Sequence, residues 1–290
     1  ANGCPKCIEP YNVSSYEHKL SEWFEDLGFI KDDDFIVNTR SVISPNELDF
    51  YFPSKKVAIE FNGDYWHSDI KKNRKYHQQK CIDCRTKNIN LIMIYEHDWK
   101  NKKEIIEKRL RSILGVSTRI YARKTTCKKI TYSESKHFCE KYHIQGMNMS
   151  SYNYGLFYNN EIVAVMTFGK SRFTDHEFEL MRYCSNGIVI GGASKLLKSF
   201  IRDTNCSSIV SYADFDWSNG NLYEKLGFEE DKITHPSYVW VKGNILKSRY
   251  QTQMKDENII MRNGGFLKIY KSIFVPLFER EVKNIVNNKA

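Results

Sequence analysis

Two short apolar segments, each with an acid inside it, constrain the fold of this 290-residue chain more than any other feature. The first spans residues 46–52, the second spans residues 57–62, and only four residues join them. In the second segment large apolar side chains occupy every other position, which is the period of a strand with one buried face. The spacing therefore predicts a β-hairpin that places Asp49 and Glu60 on neighbouring strands. A carboxylate inside a strand costs desolvation energy, so we expect a divalent cation to bind the two acids.

A tryptophan and a histidine, Trp66-His67, follow the second segment after a short turn. Histidine titrates near neutral pH and can take a proton from an attacking water molecule. A metal ion held by strand carboxylates beside a histidine is typical of phosphodiester hydrolysis. The alternative is a histidine that only caps the turn.

Five separated elements within residues 14–114 resemble, in order and spacing, the very-short-patch-repair-type (EDxHD) nucleases, a branch of the PD-(D/E)xK superfamily. The elements are Tyr16-Glu17-His18-Lys19-Leu20, Leu48-Asp49-Phe50, Gly63-Asp64-Tyr65-Trp66-His67, Tyr76-His77-Gln78-Gln79-Lys80 and Leu91-Ile92-Met93-Ile94-Tyr95-Glu96. The resemblance implies a metal-dependent DNA endonuclease of the phage-encoded homing type, acting inside a bacterial host cell. Whether it nicks one strand or cuts both stays open, and cutting both strands would most simply use a homodimer.

The resemblance also implies a set of metal ligands and a proton-transfer group. Mg²⁺ or Mn²⁺ would be bound by Asp49, Glu60 and the backbone carbonyl of Phe61. His67 would be the general base or the acid for the leaving group, and Glu17 would orient a metal-bound water. Two alternatives stay open: Glu60 can be an outward-facing strand residue that pairs with a lysine such as Lys55, and Glu17 can cap its own helix.

Two further positions depart from the family pattern. Asn62 stands where the superfamily often has lysine, so it can orient a water or a phosphate oxygen but cannot act as a base. His77 stands where the repair nuclease has an aspartate that partners the histidine. A contact with phosphate is its alternative role, and the same role is open to Lys80.

The charge of the chain favours a polyanionic partner. The net charge is +9 and the pI is about 9.0, and two acid-free basic runs predict contacts with double-stranded DNA. The residues of the two runs are Lys71, Lys72, Arg74, Lys75 and Lys80, then Arg119, Arg123, Lys124, Lys128 and Lys129. A solvated surface is the alternative for either run. No apolar stretch approaches the ~20 residues that a membrane span needs, so we expect no membrane partner.

Eight cysteines without secretory features indicate a reducing compartment. Cys4-Pro5-Lys6-Cys7 has the spacing of half a zinc ribbon, which leaves two ligands to be found. Cys81 and Cys84 have the same spacing but lie in a predicted helix. A Zn²⁺ ion at Cys4 and Cys7 is therefore an open alternative, as is a chain that begins in the middle of the zinc module.

The hydrophobic pattern lapses over residues 115–130 and then restarts. An Asn159-Asn160 turn between apolar runs predicts a hairpin, and Gly191-Gly192-Ala193 predicts the start of a helix. Over residues 130–242 the order of elements resembles the GNAT acetyltransferase fold. In that family an arginine or glutamine precedes the first glycine by three residues, where this chain has Ile188. We expect an accessory DNA-binding unit. The alternatives are an N-acetyltransferase with a degenerate nuclease domain and a DNA-binding protein without catalysis.

These interpretations predict an α/β (α+β) chain. Residues 1–10 would form the partial zinc-ribbon segment, and residues 11–118 a PD-(D/E)xK-type nuclease core with a mixed sheet. Residues 119–258 would form a GNAT-like α/β domain, followed by a tail over residues 259–290. Within the first domain we predict helices over residues 14–27, 72–88 and 104–114.

Overall fold

A computed structural model describes residues 15–233, 235–271 and 276–281 of the chain. The first 99 described residues fold into a four-stranded mixed sheet with three helices. Their elements are α1 (Ser15–Asp26), β1 (Ile36–Ile43), β2 (Asn46–Phe52), β3 (Val57–Asn62), α2 (Tyr76–Thr86), β4 (Asn90–Tyr95) and α3 (Glu96–Ile113). The strand order is β1-β2-β3-β4, with only β3 and β4 parallel.

The hairpin predicted from the two acid-bearing segments is confirmed, because β2 and β3 pair antiparallel with Phe50 opposite Ile59. The prediction of one buried face is wrong, since all six residues of β3 are buried. Ile59 packs with α1 and α3, whereas Ala58 belongs to the core cluster on the other face of the sheet. Helices cover both faces of this sheet, so β3 has no polar face, although the alternation in its sequence suggested one.

Helix α3 begins eight residues earlier than predicted. The backbone at Lys102 departs from helical geometry, with φ −140°, and divides the helix into two segments. The first segment buries His97, Asp98 and Trp99. This first segment is polar, and its sequence has no hydrophobic period. The helix there could therefore not be predicted from the sequence pattern.

The middle of the chain supplies six strands of a seven-stranded sheet, the two strands of a separate parallel sheet, and three α-helices. Its elements in chain order are β5 (Arg119–Tyr121), β6 (Thr126–Lys129), α4 (Tyr132–Tyr142), β7 (Tyr152–Tyr158), β8 (Glu161–Lys170), β9 (Phe178–Ser185), β10 (Ile188–Ile190), α5 (Gly192–Thr204), β11 (Ser208–Tyr212), α6 (Asn221–Lys225) and β12 (Glu229–Ile233). Asn159 and Asn160 turn the β7–β8 hairpin with positive φ, as predicted. The two-residue turn thus uses the left-handed conformation that asparagine tolerates.

The last described elements are four strands, which belong to two sheets, and one helix. They are β13 (Tyr238–Lys242), β14 (Ile245–Ser248), α7 (Glu257–Asn263), β15 (Leu267–Tyr270) and β16 (Pro276–Glu281). Strand β16 lies in the large sheet, whose order is β12-β16-β11-β9-β8-β7-β6, and β14-β13-β15 form a small sheet. Residues predicted as a tail therefore supply strands, while the domain boundaries themselves stay a prediction.

The two halves of the chain share their hydrophobic cores. Ile144 and Trp217 pack in the same cluster as Leu20 and Phe24 of α1. The backbone N–H of Met93 in β4 donates to the carbonyl of residue 216, at 2.8 Å. Within the described ranges no helix is long and apolar enough to cross a membrane.

Candidate functional site

The hairpin brings Asp49 and Glu60 together, as the sequence predicted. A Glu60 carboxylate oxygen accepts from the backbone N–H of Asp49 at 3.2 Å, and Asp49 accepts from the N–H of Phe61 at 2.8 Å. Burial raises the pKa of Asp49 well above its ordinary value, and the charge of Glu60 raises it further. Glu17 adds a smaller effect of the same sign at both acids. The acids therefore repel each other in a dry environment, which favours protonation of one of them over two charges.

Lys80 is the cation that compensates these acids. Its ammonium group hydrogen-bonds directly to Glu60, and its residue is only 5% exposed. Burial lowers the pKa of Lys80, but the charges of Glu60 and Asp49 more than offset this and raise it above the ordinary value. Lys80 is thus buried in an ion pair and unavailable for the predicted phosphate contact. Glu60 therefore pairs with a lysine, but the partner is Lys80 rather than Lys55, and Glu60 is buried rather than outward-facing.

His67 and His77 stack on each other next to this cluster, with ring centroids 5.1 Å apart. Burial lowers the pKa of His67 to about 3, and the charges of Lys72 and Lys80 act in the same direction. Burial likewise lowers the pKa of His77 well below its ordinary value. Neither ring nitrogen of His77 has a hydrogen-bond partner. Both rings are therefore neutral at pH 7, and His77 has no aspartate-like role.

The other predicted catalytic positions lie around the same hairpin. Asn62 is 1% exposed, and its amide nitrogen has no partner. Glu17 lies in the first turn of α1, one residue after Tyr16, whose ring stacks on Phe61 at 4.8 Å. The residue that would complete a capping box with Glu17 lies outside the described residues.

The metal predictions are wrong for the part of the chain that the structure describes. No group of three or more His, Cys, Asp or Glu residues there could hold a metal ion. Asp49 and Glu60 use their oxygens for backbone N–H groups and for Lys80, and Phe61 contributes its N–H to Asp49. Cys4 and Cys7 lie outside the described residues.

The first basic run is spread around the exposed turn that follows β3. Lys71 lies over the rings of Tyr65 and Trp66, at 5.3 and 5.5 Å from their centroids. Lys72 lies over a neighbouring tyrosine ring at 4.0 Å, and Arg74 donates to a backbone carbonyl in the loop before β13. These side chains, together with the exposed Lys75, stay predicted DNA contacts.

The second basic run lies beside α5. Strand β5 pairs with β10 in parallel, with Arg119 opposite Ile188. Residues 115–130, which we call the linker, are therefore bound to the segment that leads into α5. A cavity of about 530 Å³ lies along α5, and we call it the α5 groove. Its lining residues are Ala122, Arg123, Cys127, Gly191, Ser194, Lys195, Lys198, Ser199 and Arg202. Lys124 is exposed next to this groove.

Three of the groove's four cations were not predicted from the sequence. Lys195, Lys198 and Arg202 follow one another at intervals of three and four residues along α5, which places them on one face of the helix. That interval is the signal that could have identified them. Lys195 is held by the backbone carbonyls of Ala122 and Thr125, whereas Lys198 and Arg202 are exposed.

Two backbone donors near the start of α5 form hydrogen bonds within the protein. The N–H of Ile188 donates to a carbonyl of the linker before β5 at 3.0 Å, and the N–H of Ala193 donates to the Tyr183 hydroxyl. At Gly192 an added Cβ would lie 2.8 Å from a methyl group of Val189, so the close approach requires glycine.

Comparison with known proteins finds likeness only among solved structures. No family model and no curated protein matches this chain. A GNAT family acetyltransferase from Elizabethkingia anophelis with acetyl-CoA bound is 16% identical, with a TM-score of 0.31. It matches over 55% of this chain and 99% of its own. An IAA acetyltransferase from Bacillus cereus is 12% identical over 55% of this chain and 99% of its own, with a TM-score of 0.30. A Bacillus subtilis acetyltransferase in complex with CoA is 13% identical over 55% of this chain and 100% of its own, with a TM-score of 0.31.

These findings correct the sequence interpretation. The prediction of a repair-type endonuclease with Mg²⁺ or Mn²⁺ is wrong, because the similar structures are acetyltransferases and the described residues offer no metal site. The alternative of an N-acetyltransferase agrees better with the similar structures, two of which hold acetyl-CoA or CoA. The mixed α/β class is confirmed, whereas the nuclease core is not. At these identities and TM-scores the likeness assigns no activity to this chain.

Proposed function

We propose that this chain binds double-stranded DNA through the α5 groove. One observation carries the proposal: four cations line the groove, and three of them, Arg123, Lys198 and Arg202, are exposed. They come from two segments that are far apart in the sequence, since Arg123 belongs to the linker and the other three belong to α5. A cavity with this lining suits a phosphate backbone, which is the dominant source of affinity for DNA.

The dimensions and charges of the groove are consistent with this partner. Helix α5 has 13 residues and is therefore roughly 20 Å long, enough to follow several phosphates of one strand. Among the groove's lining residues none is acidic. Asp203 lies next to Arg202 at 3.5 Å, but its other carboxylate oxygen is bound by Lys129 and the Tyr154 hydroxyl. Arg202 therefore keeps donors for a phosphate.

The test measures binding of a fluorescent DNA duplex by anisotropy over a range of salt concentrations. We expect the logarithm of affinity to fall linearly with the logarithm of salt concentration. The double variant Lys198→Ala, Arg202→Ala should bind more weakly, with a slope smaller by about two because two phosphate contacts are lost. The control is Lys136→Ala, an exposed lysine on α4 that pairs with Glu140. Equal binding and equal slopes in the double variant and the control would remove the α5 groove from the interface.

One observation favours a second candidate, acetyl transfer. Strands β9 and β11 are parallel partners over only three residues, from Phe178 to Leu180, and part beyond them. Helix α5 begins at Gly192, directly after Gly191. Titration with acetyl-CoA in a calorimeter separates the candidates. Tight binding of acetyl-CoA by a chain that does not bind DNA would favour the transferase.

A further inference from the structure

We propose that Tyr121 and Ile190 form an apolar wedge that inserts between two neighbouring base pairs of the duplex whose backbone lies in the α5 groove. We call this pair the ribbon wedge. The proposal rests on the proposed function, because the groove must first hold the duplex. It adds a contact with the bases, and a local bend of the DNA, to a groove whose cations suit phosphates.

The ribbon wedge lies on the outer face of the two-stranded sheet that β5 and β10 form. The two strands are parallel, and Tyr121 is opposite Ile190 at the end of their pairing. Residues that are opposite each other in a sheet place their side chains on the same face. The middle residues, Ile120 and Val189, lie on the other face and pack in the core. Strand alternation therefore directs Tyr121 and Ile190 away from the core.

Both side chains of the ribbon wedge are accessible to a partner. Tyr121 is 46% exposed and Ile190 is 42% exposed. In the part of the chain that the structure describes, no third strand pairs with this ribbon. Single exposed apolar side chains are common on protein surfaces, whereas these two are adjacent and form one apolar surface. A partner that covers them would gain hydrophobic contact.

The ribbon wedge is continuous with the α5 groove. Ala122 directly follows Tyr121 and Gly191 directly follows Ile190, and both of these residues line the groove. Arg123, one of the groove's cations, lies over the Tyr121 ring, with its guanidinium carbon 5.0 Å from the ring centroid. A duplex bound by the cations of the groove therefore comes close to the ribbon wedge.

The chemistry of DNA indicates what the ribbon wedge would contact there. Phosphates and sugars are polar and cannot replace water favourably around a tyrosine ring or an isoleucine side chain. The faces of the bases are apolar, and they become accessible only where two base pairs unstack. Apolar side chains that insert at such a step bend the duplex. Unstacking costs least at pyrimidine–purine steps, so we expect the ribbon wedge to favour a TpA step.

The charges around the ribbon wedge favour this occupant over a second copy of the chain. Arg119, Arg123 and Lys124 lie within three residues of Tyr121, and all three are exposed. Two copies that met at this face would bring like charges together, which opposes association. A polyanion that also offers apolar surface satisfies both the cations and the ribbon wedge.

The experiment uses the whole chain and short duplexes with 2-aminopurine at a central TpA step or at a central ApA step. 2-Aminopurine emits more strongly when it unstacks, so wild type should raise the fluorescence of the TpA duplex and should bind that duplex more tightly. Tyr121→Ala and Ile190→Ala should each abolish the rise and weaken binding by about tenfold. Their salt slopes should stay at the wild-type value, because no phosphate contact is lost.

The matched control is Tyr132→Ala, which removes a tyrosine that is 38% exposed on α4 and does not line the groove. This variant should behave as wild type does. A second measurement needs no variant, since permanganate oxidises unstacked thymines. In the wild-type complex we expect faster oxidation of the thymine at the TpA step.

The outcomes separate the ribbon wedge from the groove. Flat fluorescence and unchanged permanganate reactivity, in a complex whose salt slope still depends on Lys198 and Arg202, would overturn the ribbon wedge alone. Failure of the wild type to bind any duplex would overturn the proposed function as well. Sedimentation that shows dimers of wild type and monomers of Tyr121→Ala and Ile190→Ala, with equal DNA fluorescence in all three, would assign the pair to an interface between copies and overturn the proposal.

Discussion

Replacing Lys80 by methionine tests whether the hairpin acids depend on a single buried cation. Lys80 and Glu60 are 5% and 3% exposed, and their charged groups are hydrogen-bonded to each other. In Lys80→Met the Glu60 carboxylate keeps its burial and loses its partner. Removing one member of a buried pair costs about 3–5 kcal/mol, because an uncompensated charge stays in the interior.

The cost has an upper bound that depends on pH, since Glu60 can bind a proton instead of remaining charged. Protonating an ordinary glutamate costs about 4 kcal/mol at pH 7 and about 1 kcal/mol at pH 5. Lys80→Met should therefore lower the free energy of unfolding by about 3–4 kcal/mol at pH 7 and by about 1 kcal/mol at pH 5. The loss shrinks as the pH falls because the folded variant carries a proton that its unfolded chain lacks.

Urea unfolding of wild type and variant at pH 5 and pH 7 measures both losses. Two controls define the interpretation. The double variant Lys80→Met, Glu60→Gln should recover most of the stability at pH 7, because it removes the unpaired charge. Lys103→Met, which breaks an exposed pair with Glu107, should cost less than about 1 kcal/mol. A loss in Lys80→Met that is below 1 kcal/mol at pH 7, or that is the same at both pH values, would refute the reasoning.

Two further predictions concern titration near the hairpin. Burial raises the pKa of Asp49, so wild-type stability should fall as the pH rises from about 4 towards the folded pKa. Asp49→Asn should lack this fall, which a comparison of urea unfolding midpoints at pH 4 and pH 7 would show. The same change in midpoint for wild type and variant would contradict the raised pKa of Asp49. Burial lowers the pKa of His67 to about 3, so stability should fall by up to about 1.4 kcal/mol per unit as the pH drops below 6.5. Proton NMR should find the His67 ring uncharged at pH 5, and a midpoint near 6.5 would sink the prediction.

Local sequence patterns determined much of the secondary structure. The alternation in residues 57–62 predicted β3, the asparagine turn predicted the β7–β8 hairpin, and the glycine pair predicted the start of α5. Each signal acts within a few residues, through side-chain period or through the backbone conformation that asparagine and glycine permit. The pairing of β2 with β3 followed as well, since only four residues separate them.

The function could not be predicted from local sequence patterns in the same way. Asp49 and Glu60 have the spacing in sequence that a metal site requires. In the folded chain Glu60 forms an ion pair with Lys80, and both acids accept hydrogen bonds from backbone N–H groups. The sequence named Lys80 as a surface cation because nothing local shows which face of α2 meets β3.

Tertiary structure alone decided where charges from distant segments meet. Arg123 joins Lys198 in the α5 groove because β5 pairs with β10. Arg109 of α3 reaches the loop after β11, where Trp217 enters the core of the first sheet. The sequence by itself determined the elements, since propensity and period are local. Contacts between residues 70 or more positions apart depend on how whole sheets and helices bury their apolar faces, and no local pattern records that arrangement.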